Sequence, residues 1–318
     1  MSFQPTLRQL RHLAALDEAR HFGRAALACN VTQSTLSASI KELEAGLGAA
    51  LVDRTRRRVV LTPLGRTTAE QGRRILAEVE SLVADAASGA EPLAGTLRLG
   101  VIPTIAPFLL APILPRLRRA HPRLKLYLIE DLTEVLVARL ADGRLDALLL
   151  ALPCDCGDVE SRILWDDRFV LACRPEHPLA RRSVVTAADL AGAPPMLLRD
   201  GHCLRAHALA ACQLGRAHGF DRVEATSLHT LVQMVDNGLG VTLLPELALR
   251  GGIIDNTELV TRPLSGASAA RQIGLAWRRG SGRAEEFDLL ARRIVDLARE
   301  AGLIDETTPM EPAGHARA

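Results

Sequence analysis

Residues 7–65 read LRQLRHLAALDEARHFGRAALACNVTQSTLSASIKELEAGLGAALVDRTRRRVVLTPLG. Apolar residues recur there at helical spacing in three successive segments, which predicts three short amphipathic helices. They are Leu7, Leu10, Leu13 and Leu16, then Phe22, Ala25, Ala26 and Leu27, then Leu36, Ile40, Leu43 and Leu47. Thr32 stands where an N-cap belongs, and Gly46 and Gly48 are expected to end the third helix. Two helices followed by a third with a polar face predict a helix-turn-helix arrangement.

The third helix, predicted over residues 33–45, carries short polar side chains that suit base edges in the major groove. Two β-like runs follow around an Arg-rich turn, the composition of a wing whose arginines can neutralise phosphates. The candidate DNA-binding residues are Thr32, Gln33, Ser34, Thr35, Ser37 and Lys41 on the helix, and Arg54, Arg56 and Arg57 in the wing. Residues 1–66 hold ten Lys/Arg and five Asp/Glu, a net charge of +5 in a chain whose total is +2. This basic head predicts double-stranded DNA as a partner.

The rest of the chain predicts a long helix and then an α/β region. No proline interrupts Arg66 to about Ser88, and Leu76, Val79, Leu82 and Val83 share one face, which predicts a helix that pairs with a second chain. After the linker GAEPLAG, the strand-like LRLGVIP, LKLYLIE and LDALLLAL alternate with helical segments. This alternation predicts a parallel sheet with crossover helices. DDRFVLACR is expected to cross into a second half, and RQIGLAWR to return to the first.

The bulk composition is that of a globular protein of two or three domains, with 318 residues and 48% hydrophobic content. No apolar run approaches the ~20 residues that span a bilayer, and the N-terminal residues lack the features of a signal peptide. We therefore expect a cytoplasmic protein with no membrane partner. Thiols are kept reduced there, so the six cysteines predict no structural disulfide framework, and any disulfide would be transient and regulatory.

The segment DGHCLRAHALAACQLG, residues 200–215, contains the most informative cysteine. Cys203 follows Asp200-Gly201-His202, which has the composition of a helix start, where the helix dipole and free N–H groups stabilise a thiolate. The thiolate is the species that attacks peroxide. His202, Arg205 and His207 are expected as cationic or hydrogen-bonding neighbours. A cysteine in an Ala/Leu-rich helix is also commonly a small buried hydrophobe, and that interpretation stays open for both Cys203 and Cys212.

Cys212 follows Cys203 by nine residues, in a stretch whose Ala and Leu content favours a helix. Nine steps of about 1.5 Å would separate the two residues by about 13 Å along the helix axis. A disulfide requires Cα atoms within about 7 Å of each other. The two thiols could therefore pair only if the helix between them unwound.

Other candidate sites are weak. Cys154 and Cys156 in LPCDCGD form a CxC pair without a second pair of ligands at zinc-site spacing, and the histidines show no HExxH. Cys29 and Cys173 lie in apolar stretches, which predicts burial. No phosphate loop, no GxGxxG and no catalytic triad can be identified. We therefore expect no cofactor, no metal and no enzymatic activity, although a thiol peroxidase with a basic head remains an alternative.

Residues 7–65 resemble, over their whole length, the winged helix-turn-helix of LysR-type transcriptional regulators. The resemblance implies an α/β fold with an N-terminal winged helix-turn-helix, a long linker helix for dimerisation, and a two-subdomain effector domain like that of periplasmic binding proteins. It also implies a homotetramer and contact with RNA polymerase. Ser34 departs from the family pattern, since many relatives have proline there, but serine still fits a first helical turn.

The segment GHCLRAHALAAC resembles the peroxide-sensing members of this family, and the likeness extends through GVIPTIAPFLLAPILP, ATSLHTL and GVTLLPELAL. It implies that Cys203 is the peroxidatic cysteine and that Cys212 is the resolving one. Hydrogen peroxide would be the signal, and cellular thiols would reverse the disulfide. The peroxide pocket would contain Thr104, Thr133, His202, Arg205 and Arg278.

These patterns together predict four segments: a winged helix-turn-helix domain at 1–65, a dimerising linker helix at 66–90, an effector domain at 91–305 and a flexible tail at 306–318. Within the effector domain, subdomain I is expected at about 96–166 and 269–304, and subdomain II at about 167–268. One alternative within the same family remains open, a regulator that binds a small organic effector between its two halves and has incidental cysteines.

Overall fold

The computed structural model describes residues 3–53, 59–88, 93–212, 225–266 and 269–305. The chain divides into two compact units, Met1–Glu91 with Arg139–Arg144 and Pro92–Ala138 with Leu145–Ala318. The predicted tail at 306–318 lies outside the described residues. Within the described ranges, no helix combines the length and apolar character needed to cross a membrane.

The first unit begins with three helices, α1 (Leu7–Ala19), α2 (Phe22–Ala28) and α3 (Gln33–Leu47). Their apolar stripes meet in a shared core, where Leu13, Leu16, Leu36, Ile40 and Leu43 are fully buried. The Thr32 side chain accepts a hydrogen bond from the Thr35 amide and so caps α3, as the sequence predicts. Gly48, with a φ of 66°, ends α3 in the left-handed region, whereas Gly46 lies inside the helix rather than ending it.

A two-stranded wing follows, in which β1 (Val52–Asp53) pairs antiparallel with β2 (Val60–Leu61). The long helix α4 (Pro63–Ser88) begins directly after it. The Thr62 hydroxyl accepts a hydrogen bond of 2.9 Å from the Gly65 amide, and proline occupies the first helical position. The helix therefore begins three residues before the predicted Arg66, because a proline at the first position needs no amide partner.

Two glycines of α4 are expected to respond in opposite ways to alanine. A Cβ on Gly65 would lie 2.0 Å from the Leu51 carbonyl oxygen, so Gly65→Ala must displace backbone and should destabilise the first unit by about 1–3 kcal/mol. A Cβ on Gly72 would meet the Leu10 Cβ at an ordinary 3.4 Å. Gly72→Ala should instead stabilise the helix by about 0.5–1 kcal/mol, because alanine loses less backbone entropy than glycine.

Thermal unfolding followed by circular dichroism, together with the affinity for DNA, checks this pair of substitutions. A Gly65→Ala protein as stable as the parent chain would contradict the close packing of α4 against the residue that precedes the wing.

The second unit contains the mixed α/β region. Its strands are β3 (Gly95–Val101), β4 (Leu124–Glu130), β5 (Ala147–Leu152), β6 (Val159–Cys173), β7 (Thr242–Pro245), β8 (Val260–Pro263) and β9 (Ala270–Arg278). Its helices are α5 (Ala111–Ala120), the first six residues of α6 (Thr133–Ala141), α7 (Ala187–Gly192), α8 (Cys203–Ala211), α9 (Leu228–Asp236), α10 (Glu246–Arg250) and α11 (Ala284–Glu300).

The strands form one curled sheet in the order β4-β3-β5-β9-β6-β7, with β8 paired to β6. The predicted parallel pairing holds for β4, β3 and β5, which crossover helices connect. The other strands, for which no pairing was predicted, are β9, β6, β7 and β8, and their pairings are antiparallel. The long β6 takes part in three of these pairings, because its first part pairs with β9 and its last residues pair with β7 and β8. The carboxyl ends of β3, β4 and β5 therefore meet at one edge, where ligand sites of such sheets lie.

Candidate functional site

A cavity of about 770 Å³ opens at this edge of the sheet. Its walls come from the start of α6, from the loop after β5 and from the first turns of α8. The lining residues are Thr133, Glu134, Val137, Pro153, Cys154, Asp155, Asp200, Gly201, His202, Cys203, Arg205, Ala206, His207 and Leu209. Of the predicted pocket residues, the cavity brings together Thr133, His202 and Arg205 with Cys203.

Cys203 is the first residue of α8 and has a free, half-buried thiol. The turn that leads into the helix requires Gly201, whose φ of 94° lies in the region that favours glycine. His202 forms the N-cap position. This local geometry puts the Cys203 sulfur beside the positive end of the helix dipole and inside the cavity, as the sequence predicts.

The two histidines beside Cys203 are not cations at neutral pH. Burial, with a smaller contribution from Arg199, lowers the pKa of His202. Burial, followed by the charge of Arg271, lowers the pKa of His207, although a hydrogen bond to the Pro153 carbonyl opposes this shift. Both rings are therefore neutral hydrogen-bonding groups, which is one of the two roles that the sequence analysis leaves open for them. His207 Nδ1 has no hydrogen-bond partner among the described residues.

Arg205 supplies the positive charge of the cavity, and that charge is already paired. Its Nε lies 2.9 Å from Asp200 Oδ1, and its Nη1 donates to the Leu198 carbonyl at 3.2 Å. Asp200 itself is almost fully exposed. The arginine therefore holds the turn before α8 in place as well as lining the cavity.

Cys212 lies at the C-cap of α8, at the far end from Cys203. Its side chain is 2% exposed, and burial raises the pKa of its thiol to about 11. With the helix intact, nine residues at about 1.5 Å each separate the two cysteines by about 13 Å. Both thiols are free, so this is the arrangement before any disulfide between them.

The two cysteines are expected to differ sharply in alkylation. Iodoacetamide at pH 7.5 should modify Cys203 in the native protein and leave Cys212 unmodified, because only a thiolate reacts and Cys212 is buried and protonated. Modification of Cys212 should appear only near pH 11 or in denaturant. Mass spectrometry of tryptic peptides after timed quenching measures both rates, and equal rates at pH 7.5 would contradict the buried position of Cys212.

Thr133 and Thr104 are placed differently. Thr133 begins α6 and lines the cavity, and its buried hydroxyl has no hydrogen-bond partner among the described residues. Thr104 is 2% exposed and does not line the cavity, because its hydroxyl accepts a hydrogen bond of 2.7 Å from Arg271. Among the described residues, the Thr133 hydroxyl therefore has no hydrogen-bond partner, whereas the Thr104 hydroxyl is bonded to Arg271.

Arg278 lies far from the cavity. It ends β9 beyond the residue that pairs with Ala147 at the start of β5, whereas the cavity is at the other end of β5. Its Nη1 donates to the Leu145 carbonyl at 2.7 Å. The structure thus does not bring Arg278 together with Cys203.

Arg271, at the other end of β9, is the arginine that the sequence analysis missed. It is 1% exposed and joins two parts of the second unit, with Nε 3.0 Å from Asp167 Oδ2 and Nη1 2.7 Å from Thr104 Oγ1. Asp167 also accepts a hydrogen bond from the Leu247 amide. Burial raises the pKa of this carboxyl, against the opposing effect of Arg271. The sequence feature that could have identified Arg271 is its position at the start of the mostly apolar strand RQIGLAW.

Cys154 and Cys156, whose CxC spacing predicted no specific role, form a disulfide, with Cα atoms 5.3 Å apart. Cys154 lines the cavity, whereas Cys156 is buried, at 5% exposure, and is not among the lining residues. Cys29 is half-buried and Cys173 is fully buried, as their apolar surroundings predict. Among the described residues, no group of three or more His, Cys, Asp and Glu side chains is arranged to hold a metal ion.

The candidate DNA-binding residues lie on one exposed side of α3. Gln33, Ser34, Thr35 and Lys41 are exposed, and Ser37 is half-buried. The Thr32 hydroxyl is occupied as a cap, and it lies 2.9 Å from the Ser34 hydroxyl. Arg54, Arg56 and Arg57 of the predicted wing lie outside the described residues.

Family comparisons agree with this architecture. Residues 7–66 match the model of the bacterial regulatory helix-turn-helix proteins of the lysR family. Residues 90–302 match the LysR substrate binding domain. The chain belongs to the LysR family. The predicted fold class is therefore confirmed, and family membership makes this protein a transcriptional regulator rather than an enzyme.

Individual LysR-family relatives are similar over most of their length. The chain is 41% identical over 305 residues to the DNA-binding transcriptional dual regulator OxyR of Escherichia coli, covering 94% of this chain and 97% of that protein. It is 40% identical over 291 residues to the regulator EstR of Acinetobacter baylyi, covering 91% and 96%. A full-length OxyR variant from Pseudomonas aeruginosa superposes with a TM-score of 0.77 at 34% identity, covering 92% and 98%.

Proposed function

We propose that this LysR-family regulator senses hydrogen peroxide at Cys203 and responds by forming a disulfide between Cys203 and Cys212. The observation that carries the proposal is the position of Cys203. A free thiol at a helix N-terminus lines a cavity that also contains two neutral imidazoles and a hydroxyl, that of Thr133, with no hydrogen-bond partner among the described residues. The similarity to OxyR of E. coli over nearly the whole chain supports the same function.

The first chemical step takes place in the cavity. The Cys203 thiolate attacks one peroxide oxygen, the O–O bond breaks, and hydroxide leaves and becomes water when it takes up a proton. Thr133 is suited to donate a hydrogen bond to the departing oxygen, because its hydroxyl lines the cavity with no other partner among the described residues. Cys203 is left as a sulfenic acid.

The second step requires a change of conformation. The Cys212 thiol displaces the hydroxyl of the sulfenic acid as water and forms the disulfide. Since the two residues lie at opposite ends of α8, about 13 Å apart, the helix has to unwind and Cys212 has to leave its buried position. The signal is thus the loss of α8 and of the packing around Cys212, an order-to-disorder change that can alter contacts between subunits.

The output is a change in binding to double-stranded promoter DNA in the cytoplasm. Residues 1–65 would form the winged helix-turn-helix domain, with Gln33, Ser34 and Lys41 towards the DNA. The helix at 66–90 would join two copies, since Leu82 and Val83 of α4 are more than 60% exposed. Residues 91–305 would form the effector domain of a homotetramer that contacts RNA polymerase, and cellular thiol reductants would restore the reduced state.

A second candidate function is the response to a small organic effector. A cavity of about 770 Å³ lies within the range of small-molecule sites, and EstR, whose name does not mention peroxide, is 40% identical to this chain. In that case the cavity would bind a solute, and peroxide would leave DNA binding unchanged.

Peptide mapping separates these candidates. The fully reduced protein is treated with a few-fold excess of hydrogen peroxide, alkylated and digested without reductant. We expect a peptide in which Cys203 is linked to Cys212, and we expect dithiothreitol to remove it. If no such peptide forms at any dose while the protein still binds DNA, the peroxide-sensing function is excluded.

A further inference from the structure

Cys154, which forms a disulfide with Cys156, lines the same cavity as Cys203, and this pair has no role in the mechanism above. We propose that this pair is a second redox couple, which intercepts the Cys203 sulfenic acid and thereby delays the response. The inference rests on the proposed function, because it requires Cys203 to be oxidised by peroxide. It concerns a separate event, which can be detected whether or not Cys212 reacts.

The first argument is the position of Cys154. Both Cys154 and Cys203 line the same cavity. Cys203 and His207 lie four residues apart on α8 and so share one face of the helix. His207 lines the same cavity, as does Pro153, the residue before Cys154. The face of α8 that bears Cys203 is therefore docked against the loop that bears the CxC pair.

The second argument is the contrast with Cys212. Cys154 is partly exposed in the cavity, whereas Cys212 is buried at the opposite end of an intact helix. A thiol that enters from Cys154 requires no unwinding of α8. The sulfenic acid therefore meets Cys154 before it can meet Cys212.

The third argument is that the pair can complete the exchange. The Cα atoms of Cys154 and Cys156 are 5.3 Å apart, within the range that a disulfide spans, and the structure contains that bond. In the dithiol form, the Cys154 thiol displaces hydroxide from the Cys203 sulfenic acid, giving a Cys154–Cys203 disulfide and water. The Cys156 thiol then attacks the Cys154 sulfur, which forms the Cys154–Cys156 disulfide and returns Cys203 to its thiol. In total, one hydrogen peroxide and two thiols become one disulfide and two waters.

The redox state of the pair then sets the dose at which the regulator responds. With the dithiol, the first equivalent of peroxide oxidises the pair and leaves α8 folded. Once the pair is a disulfide, as in this structure, it contains no thiol to offer, and the next sulfenic acid remains for Cys212. Low-molecular-weight thiols that reduce the pair would restore the delay.

A stepwise titration tests this order of events. The fully reduced full-length protein receives hydrogen peroxide without oxygen, first one equivalent and then a second, and the disulfides are mapped at each step. We expect Cys154–Cys156 after the first equivalent, with Cys203 still alkylatable, and Cys203–Cys212 after the second. The Cys156→Ser protein should accumulate a Cys154–Cys203 disulfide, because the last exchange is blocked. In Cys203→Ser, one equivalent should leave Cys154 and Cys156 reduced.

The control variant is Cys29→Ser, which alters a cysteine of the first unit and should leave the two-step pattern unchanged. The inference is overturned if Cys203–Cys212 forms at the first equivalent in the reduced protein, or if Cys154–Cys156 forms equally fast without Cys203. In the first case the proposed function survives alone. The absence of Cys203–Cys212 at every dose, with Cys154–Cys156 still formed through Cys203, would instead reject the proposed switch and keep the second couple.

Discussion

Cys203→Ser is expected to abolish the change in promoter footprint that hydrogen peroxide causes, while leaving the binding of the untreated protein intact. Serine has nearly the same size, so α8 should begin as before. Its hydroxyl remains protonated at neutral pH and cannot attack peroxide as a thiolate does. The affected step is the first one, so neither a sulfenic acid nor any disulfide at this position can follow.

Footprinting on one promoter fragment, with and without peroxide, measures the effect. Cys29→Ser is the matched control, because it also exchanges a half-buried cysteine and should keep the full response. Cys212→Ser separates the two chemical steps. When Cys154 and Cys156 are already joined as a disulfide, Cys203 of this variant should stop at a sulfenic acid that dimedone can label. A Cys203→Ser protein with the parent response to peroxide would place the sensing group elsewhere.

The local features of this protein could be predicted from the sequence because they depend on neighbours along the chain. The helices of the first unit follow from apolar residues at helical spacing and from the Thr32 cap. The helix between Cys203 and Cys212 could be predicted in the same way. So could the separation of the two cysteines, which prevents a disulfide while the helix is intact. Two helix boundaries differ from the predicted ones by a few residues. The helix α4 begins at Pro63, and α3 continues past Gly46, because a single side chain or cap decides where a helix begins or ends.

Features that depend on distant parts of the chain could not be predicted in this way. Arg271 and Arg278 both lie on β9, and only the pairing of β9 with β5 shows which end of the strand faces Thr104. The Cys154–Cys156 loop presents the same difficulty. It lines the cavity together with α8, which begins about 50 residues later in the chain. Sequence spacing cannot reveal contacts made by the folding of the sheet.

The largest loss of stability is expected from Arg271→Met. Arg271 and Asp167 are both buried, at 1% and 2% exposure, so the substitution leaves a carboxylate without its counter-ion in the interior. Removing one partner of a buried pair typically costs about 3–5 kcal/mol, which is a large part of the roughly 5–15 kcal/mol that stabilises a domain. Thr104 would lose two hydrogen bonds at the same time.

The pH dependence of this variant has a definite sign. Burial already raises the pKa of Asp167, and without Arg271 nothing of comparable strength opposes that shift. A carboxyl whose folded-state pKa lies above its unfolded value stabilises the fold when it is protonated, and this stabilisation is lost as the pH rises above the unfolded value near 4. The loss caused by Arg271→Met should therefore be larger at pH 7 than at pH 5. Asp167→Asn should restore part of the stability of Arg271→Met, because an amide can still accept the Leu247 hydrogen bond without a charge.

Urea unfolding followed by tryptophan fluorescence measures the loss of stability in the second unit, which contains Arg271. Both tryptophans, Trp165 and Trp277, lie in that unit. Arg279→Met is the matched control. It breaks an ion pair with Asp158 whose side chains are 46% and 80% exposed, and such pairs contribute about 1 kcal/mol or less. Equal urea midpoints for Arg271→Met and Arg279→Met would show that the buried Arg271–Asp167 pair contributes no more to stability than the exposed Arg279–Asp158 pair. A lower midpoint for Arg271→Met alone, partly restored by Asp167→Asn, is the result that the buried pair requires.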